Sequence, residues 1–261
     1  MKVLGRGFSR RGLLKASLSG LAALPALGFP GRALALGPSS LVDIAELNLP
    51  SGTTSRPAAW RRVLFEVMQS TSIEARPESV LVGPEDNALF AHPFCVLLGD
   101  GGYSNLSDKA IEQLGRYLSY GGFLLLDDTT ATPDGPSSRS ARDLCSRLFP
   151  TRPLSPLPAN HSVYRAFFLL DRPYGRSDIS PVLEGVTLGP VTPLIFCPND
   201  LSGALDRSAD GRDRYPVTPG GDWQRREALK LAINLVMYSL TSNYKQDQAH
   251  VLALIREGRL E

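Results

Sequence analysis

Carboxylates and one amide follow three apolar runs of this sequence, and each run is short enough to be a buried strand. These side chains are Asp100, Asp127, Asp128, Asn199 and Asp200. Gly101 follows the first of them in a glycine-rich turn, and His161 and Tyr164 come just after a proline-rich stretch. If the runs are neighbouring parallel strands, their carboxyl ends deliver these groups to one edge of a sheet, where open α/β folds bind ligands.

Two kinds of site are compatible with these residue types. Carboxylate and amide oxygens are the ligands that Mg²⁺ and Ca²⁺ prefer, and a cation held there supports hydrolysis of a phosphate or sugar bond with His161 as acid or base. The same groups can instead bind a polar ligand or a partner protein without chemistry, with Tyr103, Tyr164 or Trp223 as a stacking surface. Of these two sites we predict the second, which binds a polar ligand or a partner protein without catalysis and without a cofactor. A metal-assisted hydrolase that uses strand-end carboxylates such as Asp128 with His161 is the alternative.

Each of these polar residues also has an ordinary structural interpretation. An Asp at the end of a strand often caps the next turn. Side chains alternate along a strand, so Asp127 and Asp128 point to opposite faces and only one of them can reach a given partner. The other can accept hydrogen bonds from the backbone amides of Thr129 or Thr130. The prediction of a site therefore depends on the clustering of these residues rather than on any one of them.

The short motifs of common catalytic and cofactor sites are absent from the sequence. It has no G-x-S-x-G elbow and no G-x-x-x-x-G-K-[ST] loop, and Gly-Asp-Gly-Gly at 99–102 is not a dinucleotide fingerprint. Its three cysteines, Cys95, Cys145 and Cys197, are about fifty residues apart, which fits neither a zinc module nor a disulfide framework. We expect them to be buried as small hydrophobic residues.

The first 35 residues have the pattern of an export signal. Ser-Arg-Arg-Gly-Leu-Leu-Lys at 9–15 resembles the twin-arginine motif, a modestly apolar stretch follows, and Ala-Leu-Ala at 33–35 is a small-residue cleavage site. The apolar stretch is shorter than the ~20 residues that a membrane span needs. We therefore predict a signal peptide at 1–35, export of the folded chain by the twin-arginine translocase, and a periplasmic or secreted mature protein without a transmembrane helix. An uncleaved, membrane-anchoring N-terminus is the alternative.

Most of the positive charge lies in this leader. Residues 1–35 hold six of the 28 basic residues and none of the 26 acidic ones, which leaves 22 basic and 26 acidic residues, a charge of −4, for residues 36–261. A nucleic-acid binder needs a basic face, so we predict no nucleic-acid partner. Residues 36–261 are enough for one substantial core and are predicted to be a single domain.

Apolar runs alternate with amphipathic segments along the rest of the chain. Predicted strands are 41–47, 80–82, 94–98, 123–126, 163–170 and 194–197, with a possible short strand at 72–75, and predicted helices are 57–68, 108–120, 139–148 and 223–244. Several strands are continuously apolar, which favours strands covered on both faces, as in parallel sheets. We expect a three-layer α/β sandwich with a mostly parallel sheet of at least five strands and a long C-terminal helix. The polar stretch 206–221 indicates a solvated surface loop.

Several motifs of the chain resemble those of one bacterial family. The runs are YGGFLLLDD, RLFP, NHSVYRAFF, TPLIFCPNDLSGAL and LAINLVMYSL. They are similar to the family catalogued as domain of unknown function 4159, and the resemblance covers nearly all of residues 41–247. That family resembles the class I glutamine amidotransferase-like superfamily, which has a flavodoxin-type three-layer fold. The resemblance implies the same fold here and implies no particular activity.

The resemblance also allows a comparison with the amidotransferase site. Those enzymes place a nucleophilic Cys on a glycine-flanked turn after a strand, with a His and an acid from later strands. The corresponding turn here is 98–102, and it has Asp100 where the nucleophile would stand, while Cys95 lies upstream within the strand. The resemblance therefore implies an amidotransferase-like domain without glutaminase or hydrolase chemistry, that is, a binding domain of the cell envelope.

Overall fold

The computed structural model describes residues 41–49, 54–100, 102, 103 and 106–256, and side chains as far as residue 242. All of these residues belong to one unit, Pro38–Glu261. The predicted signal peptide at 1–35 and the predicted site residue Gly101 lie outside the described residues. None of the described helices contains a stretch that is long and apolar enough to span a membrane.

Seven described strands form one sheet. They are β1 (Ile44–Leu47), β2 (Val80–Val82), β3 (Phe94–Gly99), β4 (Phe123–Asp128), β5 (Ser155–Pro156), β6 (Glu184–Leu188) and β7 (Val191–Cys197). Their order across the sheet is β2-β1-β3-β4-β7-β6-β5, in which the first five strands are parallel and β6 and β5 are antiparallel. The parallel strands thus have the 2-1-3-4-5 order of a doubly wound sheet. The prediction of a mostly parallel sheet is confirmed.

Helices cover both faces of this sheet. The described α-helices are α1 (Pro57–Ser70), α2 (Asp108–Ser119), α3 (Pro136–Leu148), α4 (Leu201–Leu205) and α5 (Gly221–Arg256), and short 3-10 turns occur at Asn87–Ala91 and Ser162–Arg165. One hydrophobic core lies between the sheet and α1, α4 and α5, and the other lies between the sheet and α2 and α3. The predicted three-layer sandwich and long C-terminal helix are therefore confirmed.

Alternate residues of each central strand enter opposite cores. Phe123 and Leu125 of β4 pack against the layer of α1 and α5, whereas Leu124 and Leu126 pack against the layer of α2 and α3. Every residue of β3 and of β4 is buried. Because both faces of these strands are covered, their sequences are apolar without alternation.

Local sequence signals set the ends of the helices. Both α1 and α3 begin with Pro in the first turn, where the missing N–H breaks no intrahelical hydrogen bond. For that reason α3 begins at Pro136, earlier than the predicted start at Arg139. The hydroxyl of Ser107 caps α2 by accepting a hydrogen bond from the amide of Ala110 at 3.1 Å.

The predicted strand at 163–170 is wrong, because the chain there forms a 3-10 turn and then an irregular segment. The side chain of Asn234 on α5 holds this segment. Its Oδ1 accepts hydrogen bonds from the amides of Phe167 and Phe168 at 3.1 and 2.7 Å, and its Nδ2 donates to the carbonyls of Val163 and Phe168 at 3.0 and 2.8 Å. A buried side-chain amide thus takes the place of the neighbouring strand that the apolar pattern implied.

Three other stretches differ from expectation. The possible strand at 72–75 contributes only an isolated bridge between Val42 and Ala75. Strand β6 lies in a stretch rich in Gly and Pro that predicted no strand. The polar stretch 206–221 is not a plain loop, because a bridge between Arg207 and Asp213 closes a hairpin-like turn within it.

Candidate functional site

The carboxyl edge of the parallel strands contains a buried network of polar groups. Asp127 and Asp128 end β4, and Asn199 and Asp200 follow its direct neighbour β7. All four side chains are inaccessible to solvent. Asp127 faces the layer of α1, α4 and α5, and Asp128 faces the other layer, as strand alternation requires. The structure thus brings four of the predicted residues to one edge, where they lie inside the protein.

Asp127 binds the start of α4. Its two carboxylate oxygens accept hydrogen bonds from the amides of Leu201 and Ser202, both at 2.8 Å. Burial raises the pKa of Asp127 to about 6, and the charge of Asp200 adds to the increase, while hydrogen bonds from Ser202 oppose it. Both oxygens are used within the protein, so Asp127 fixes α4 to the end of β4.

Asp200 bridges two arginines. Its Oδ1 pairs with Nη1 of Arg56, and its Oδ2 pairs with Nε of Arg176. Oδ1 also accepts a hydrogen bond from the amide of Gly203 at 3.0 Å and so caps α4. Asp200 has a φ of 55°, in the left-handed region that costs a side-chain-bearing residue about 1–2 kcal/mol. These contacts therefore hold a strained turn in place.

Arg56 joins this ion pair to the rest of the edge. Its guanidinium donates to Oγ of Ser202 at 3.0 Å and lies 5.0 Å from the ring centroid of Tyr215. Its backbone amide donates to a carboxylate oxygen of Glu46 on β1 at 2.8 Å. Burial lowers the pKa of Arg56, but nearby carboxylates, Asp200 first among them, outweigh burial and raise the pKa overall. Arg56 therefore stays charged and connects β1, α1 and α4.

Asn199 is saturated by backbone groups of one neighbouring segment. Its Oδ1 accepts hydrogen bonds from the amides of Ile179 and Ser180 at 3.0 and 2.8 Å, and its Nδ2 donates to the carbonyls of Pro173 and Ser180 at 3.3 and 2.9 Å. A side-chain amide offers two donors and about two acceptor positions, so all of them are used. Asn199 thus holds the chain at 173–180 against the end of β7.

Asp128 caps the turn that follows β4. Its Oδ1 accepts hydrogen bonds from the amide and the hydroxyl of Thr130 at 2.9 and 2.7 Å and from the amide of Ala131 at 3.2 Å. This is the capping role expected for one of the two adjacent aspartates. Its Oδ2 is buried and has no hydrogen-bond partner among the described residues. This oxygen is the part of the strand-end cluster that a cation could still engage.

The turn after β3 is organised around Tyr103 rather than Asp100. The Asp100 side chain is exposed and forms no hydrogen bond or ion pair with the described residues. Tyr103 is fully buried, and its hydroxyl donates to the carbonyl of Asp127 at 2.9 Å. A Cβ atom at Gly99 would lie 2.1 Å from the Tyr103 ring, so glycine is needed there to seat the ring. Gly101, also predicted at the site, is not among the described residues.

The structure places His161 away from the carboxylates and Tyr164 within the core. Nδ1 of His161 accepts a hydrogen bond from the amide of Val163 at 3.2 Å, and Nε2 lies 3.0 Å from Oγ1 of Thr192, at the amino end of β7. Burial lowers the pKa of His161. The hydroxyl of Tyr164 accepts from the amide of Leu183 at 2.9 Å. The segment turns instead of running along the sheet, so the expected grouping of His161 with the carboxylates does not form.

Of the three residues expected to offer a stacking surface, only one is accessible to solvent. Tyr103 and Tyr164 are buried, whereas Trp223 is exposed and its ring makes an edge contact with Tyr174 at 5.1 Å. Within the described ranges there is no group of three or more His, Cys, Asp or Glu that could hold a metal ion. The three cysteines are buried and unpaired, as predicted.

An open groove of about 660 Å³ runs along the exposed side of α1. We call it the arginine groove, and its defining residues are Arg61, Arg62, Phe65, Arg207, Ser208 and Arg214. Phe65 is 53% exposed, and Arg61 is exposed and forms no ion pair with a described residue. The volume is in the range of pockets that bind small molecules. The sequence did not indicate this groove, because one wall had only the pattern of a solvated loop.

Arginines from α1, from the facing turn and from α5 converge on one carboxylate beside the arginine groove. Arg62, Arg207 and Arg225 approach the carboxylate of Asp213 at 3.4, 3.3 and 3.2 Å. Burial lowers the pKa of Arg62, and the charge of Arg207 lowers it further, while Asp213 raises it. Three guanidinium groups share one carboxylate, so a further anion would be stabilised beside them.

The buried edge positions the two walls of this groove. Asp127 and Asp200 fix α4, and the wall that contains Arg207 begins directly after that helix. The amide of Asp206 donates to the carbonyl of Ser202 at 2.9 Å and continues the connection. The other wall is α1, whose first residue follows the buried Arg56. The strand-end acids thus hold α1 and α4 together, and these helices carry the groove.

The arginines that organise this edge lie outside every predicted motif. Arg56 stands alone before α1, and Arg176 lies in a stretch rich in Gly and Pro. Single basic residues have no informative spacing, so sequence patterns do not reveal them. The one usable signal is that buried acids at strand ends need counter-charges from elsewhere in the chain.

Comparison with known proteins places the chain in a family. Residues 43–240 match the family described as Domain of unknown function (DUF4159). The match covers about three quarters of the 261 residues and includes the described strands, the buried edge and the arginine groove. Comparison with curated proteins gave no match. The chain therefore belongs to the DUF4159 family.

Proposed function

We propose that this chain is an exported, non-catalytic binding domain of the cell envelope and that the arginine groove takes its polar ligand or partner protein. The observation that carries the proposal is the state of the strand-end groups. Asp127, Asn199 and Asp200 are buried and bonded to internal partners. Groups engaged in this way serve as a scaffold, whereas the groove beside them has exposed donors and the volume of a small-molecule site.

A relation to the amidotransferase-like proteins is part of this proposal. It is supported by the 2-1-3-4-5 order of the parallel strands and by the glycine-flanked turn after β3. That turn has the exposed Asp100 and the buried Tyr103, and neither is a thiol or an activated hydroxyl of the kind that acyl transfer needs. On this proposal the chain keeps the scaffold of such enzymes and binds its ligand without transferring an acyl group.

Export by the twin-arginine route is the reason for proposing the cell envelope as its location. The supporting features are the Ser-Arg-Arg motif at 9–15 and the small residues at 33–35. Cleavage after Ala35 would give a periplasmic or secreted protein that starts at Leu36. Retention of the leader would give a protein anchored at its N-terminus.

A metal-assisted hydrolase is the second candidate, and it rests on the unpartnered Oδ2 of Asp128. A hard cation would satisfy that oxygen, but His161 is not placed to act as the acid or base beside it. Thermal unfolding with Mg²⁺, Ca²⁺ or Mn²⁺ separates the two candidates. A midpoint raised by an ion in the native chain but not in Asp128→Ala favours the hydrolase, and an unchanged midpoint favours the binding domain.

The direct test of the binding function is a crystal of the full chain soaked with neutral, anionic and cationic polar fragments. The proposal expects fragment density in the arginine groove, in contact with Arg61, Phe65 or Arg207. Fragments that collect only around Asp100 and Asp128 at the strand ends, with the groove empty, would show that the binding site has been assigned to the wrong surface.

A further inference from the structure

The arginine groove is a surface with an excess of basic residues on a chain that is otherwise acidic. The basic groups around it are Arg61, Arg62, Arg207, Arg214 and Arg225, and the acidic groups are Glu66, Glu78, Asp206 and Asp213. Residues 36–261 as a whole have 22 basic and 26 acidic residues. The charge balance therefore reverses at the groove, and a local positive potential attracts anions.

Two arginines on opposite walls keep donors available for a ligand. Arg61 is exposed and has no ion-pair partner among the described residues. The side chain of Arg207 is 43% exposed and reaches Asp213 only through Nε, at 3.3 Å, so its two terminal nitrogens are not used in that contact. The guanidinium group presents its donors as a planar fork that matches the oxygens of a phosphate or a carboxylate.

Phe65 adds an apolar surface next to these donors. It lies four residues after Arg61 on α1, which places the two side chains side by side on one face of the helix. The residue is 53% exposed, so its side chain is accessible to a ligand in the groove. A ligand that is anionic at one end and apolar at the other would use both kinds of surface.

We infer that the arginine groove binds a small organic anion, with its phosphate or carboxylate group between Arg61 and Arg207 and its ring or chain against Phe65. This inference rests on the proposed binding function and adds the chemical class of the ligand. The volume of about 660 Å³ suits a small molecule, and the shared carboxylate of Asp213 leaves the positive charge that the anion neutralises.

The inference is tested with four probes: phenyl phosphate, inorganic phosphate, phenol and benzylamine. The last three differ from phenyl phosphate in lacking the ring, in lacking the charge and in having a positive charge, respectively. Each is titrated into the full chain, and its site is located from amide chemical shifts. Phenyl phosphate is expected to bind most tightly and to shift amides of α1 and of residues 207–214, with inorganic phosphate weaker at the same place. Binding of phenol or benzylamine there as tight as that of phenyl phosphate would overturn the anionic class and leave the groove as a binding site.

Two arginine variants complete the test. Arg61→Gln removes a guanidinium that has no described ion-pair partner, so the fold is not at risk, and we expect it to raise the Kd for phenyl phosphate about three- to tenfold. Arg212→Gln is the matched control, because Arg212 lies in the same turn as Arg207, has a side chain that is 86% exposed and does not line the groove. An equal Kd in the two variants, or no groove shift with any probe, contradicts the inference, and the fragment soak decides separately whether the groove binds at all.

Discussion

The acids at the carboxyl edge show how the partner of a carboxylate decides its role. Asp127 accepts hydrogen bonds from two backbone amides, Asp200 pairs with two arginines, and Asp128 caps a turn with one oxygen and leaves the other unbonded. Removing one partner of a buried ion pair leaves the other charge unpaired in a low dielectric, which costs more than losing an exposed pair. Substitutions at these residues therefore have distinguishable effects on stability.

We predict that Asp200→Asn lowers the free energy of unfolding by about 3–5 kcal/mol, because Arg56 is left buried without its counter-charge. Arg56 is 6% exposed. Asn tolerates the left-handed backbone at residue 200, so the loss of unfolding free energy comes from removing the carboxylate charge. The matched variant is Arg176→Gln, whose side chain is 26% exposed, and it should cost only about 1–2 kcal/mol. Urea unfolding measures both, and equal losses would contradict the dominant role of the Arg56 pair.

The raised pKa of Asp127 predicts a specific dependence of stability on pH. The pKa is about 6 in the folded protein and about 4 in an unfolded chain, so between these values the folded state holds a proton that the unfolded state lacks. The contribution of this carboxyl group to the free energy of unfolding is fully present below about pH 4 and is lost as the pH rises through 6.

Relative to Asp127→Asn, which cannot titrate, the native chain should therefore lose on the order of 2 kcal/mol of unfolding free energy between pH 4 and 6.5. Urea unfolding of both proteins at several pH values measures the difference, in which contributions from other carboxylates cancel. Parallel stability profiles across this range would show that Asp127 has an ordinary pKa.

At the level of elements, continuous apolar runs predicted β3, β4 and β7 because both faces of each strand are covered. The same reasoning failed at 163–170, where the backbone is irregular and Val163 and Leu170 are buried but Leu169 is 83% exposed. There the decisive group is Asn234, which lies far along the chain and whose side-chain amide forms the backbone hydrogen bonds that a neighbouring strand would have formed. The apolar run at 163–170 therefore did not show which distant group satisfies the backbone.

Asn234→Ala is predicted to destabilise the protein by about 2–4 kcal/mol, because it removes four hydrogen bonds to the backbone of residues 163–168 and leaves the carbonyl of Val163 buried without that partner. Asn160→Ala is the control, since Asn160 is exposed and its replacement should change stability by less than about 0.5 kcal/mol. Urea unfolding followed by circular dichroism compares them. A loss for Asn234→Ala no larger than that of the control would mean that water replaces the amide without cost.

The candidate site was also only partly predictable from the sequence. The parallel order brings Asp127, Asp128, Asn199 and Asp200 to one edge, as their positions after apolar runs indicated. What the acids do there depends on Arg56 and other groups distant in sequence, which no local pattern marks. The arginine groove is a product of the same tertiary packing, since its walls come from α1 and from a turn well over a hundred residues later.

At the scale of the whole molecule, the export proposal predicts a defined effect of the twin arginines. Replacing Arg10 and Arg11 by Lys keeps the charge but removes the planar guanidinium groups, and we expect the precursor to remain in the cytoplasm. Arg6→Lys is the control and should leave export intact. Cell fractionation followed by N-terminal sequencing measures the outcome, with Leu36 as the expected first residue. Equal export of the two proteins would exclude the twin-arginine route.

The central claim is that the strand-end acids are internal anchors and that binding takes place in the arginine groove they position. Mapping of amide chemical shifts in the full chain, with a mixture of polar fragments added, tests it most directly. The account predicts shifts concentrated in residues 57–66 of α1 and 207–214, with residues 128–131 and 199–203 unchanged. Shifts concentrated at those strand ends instead, with α1 and the facing turn unaffected, would contradict it.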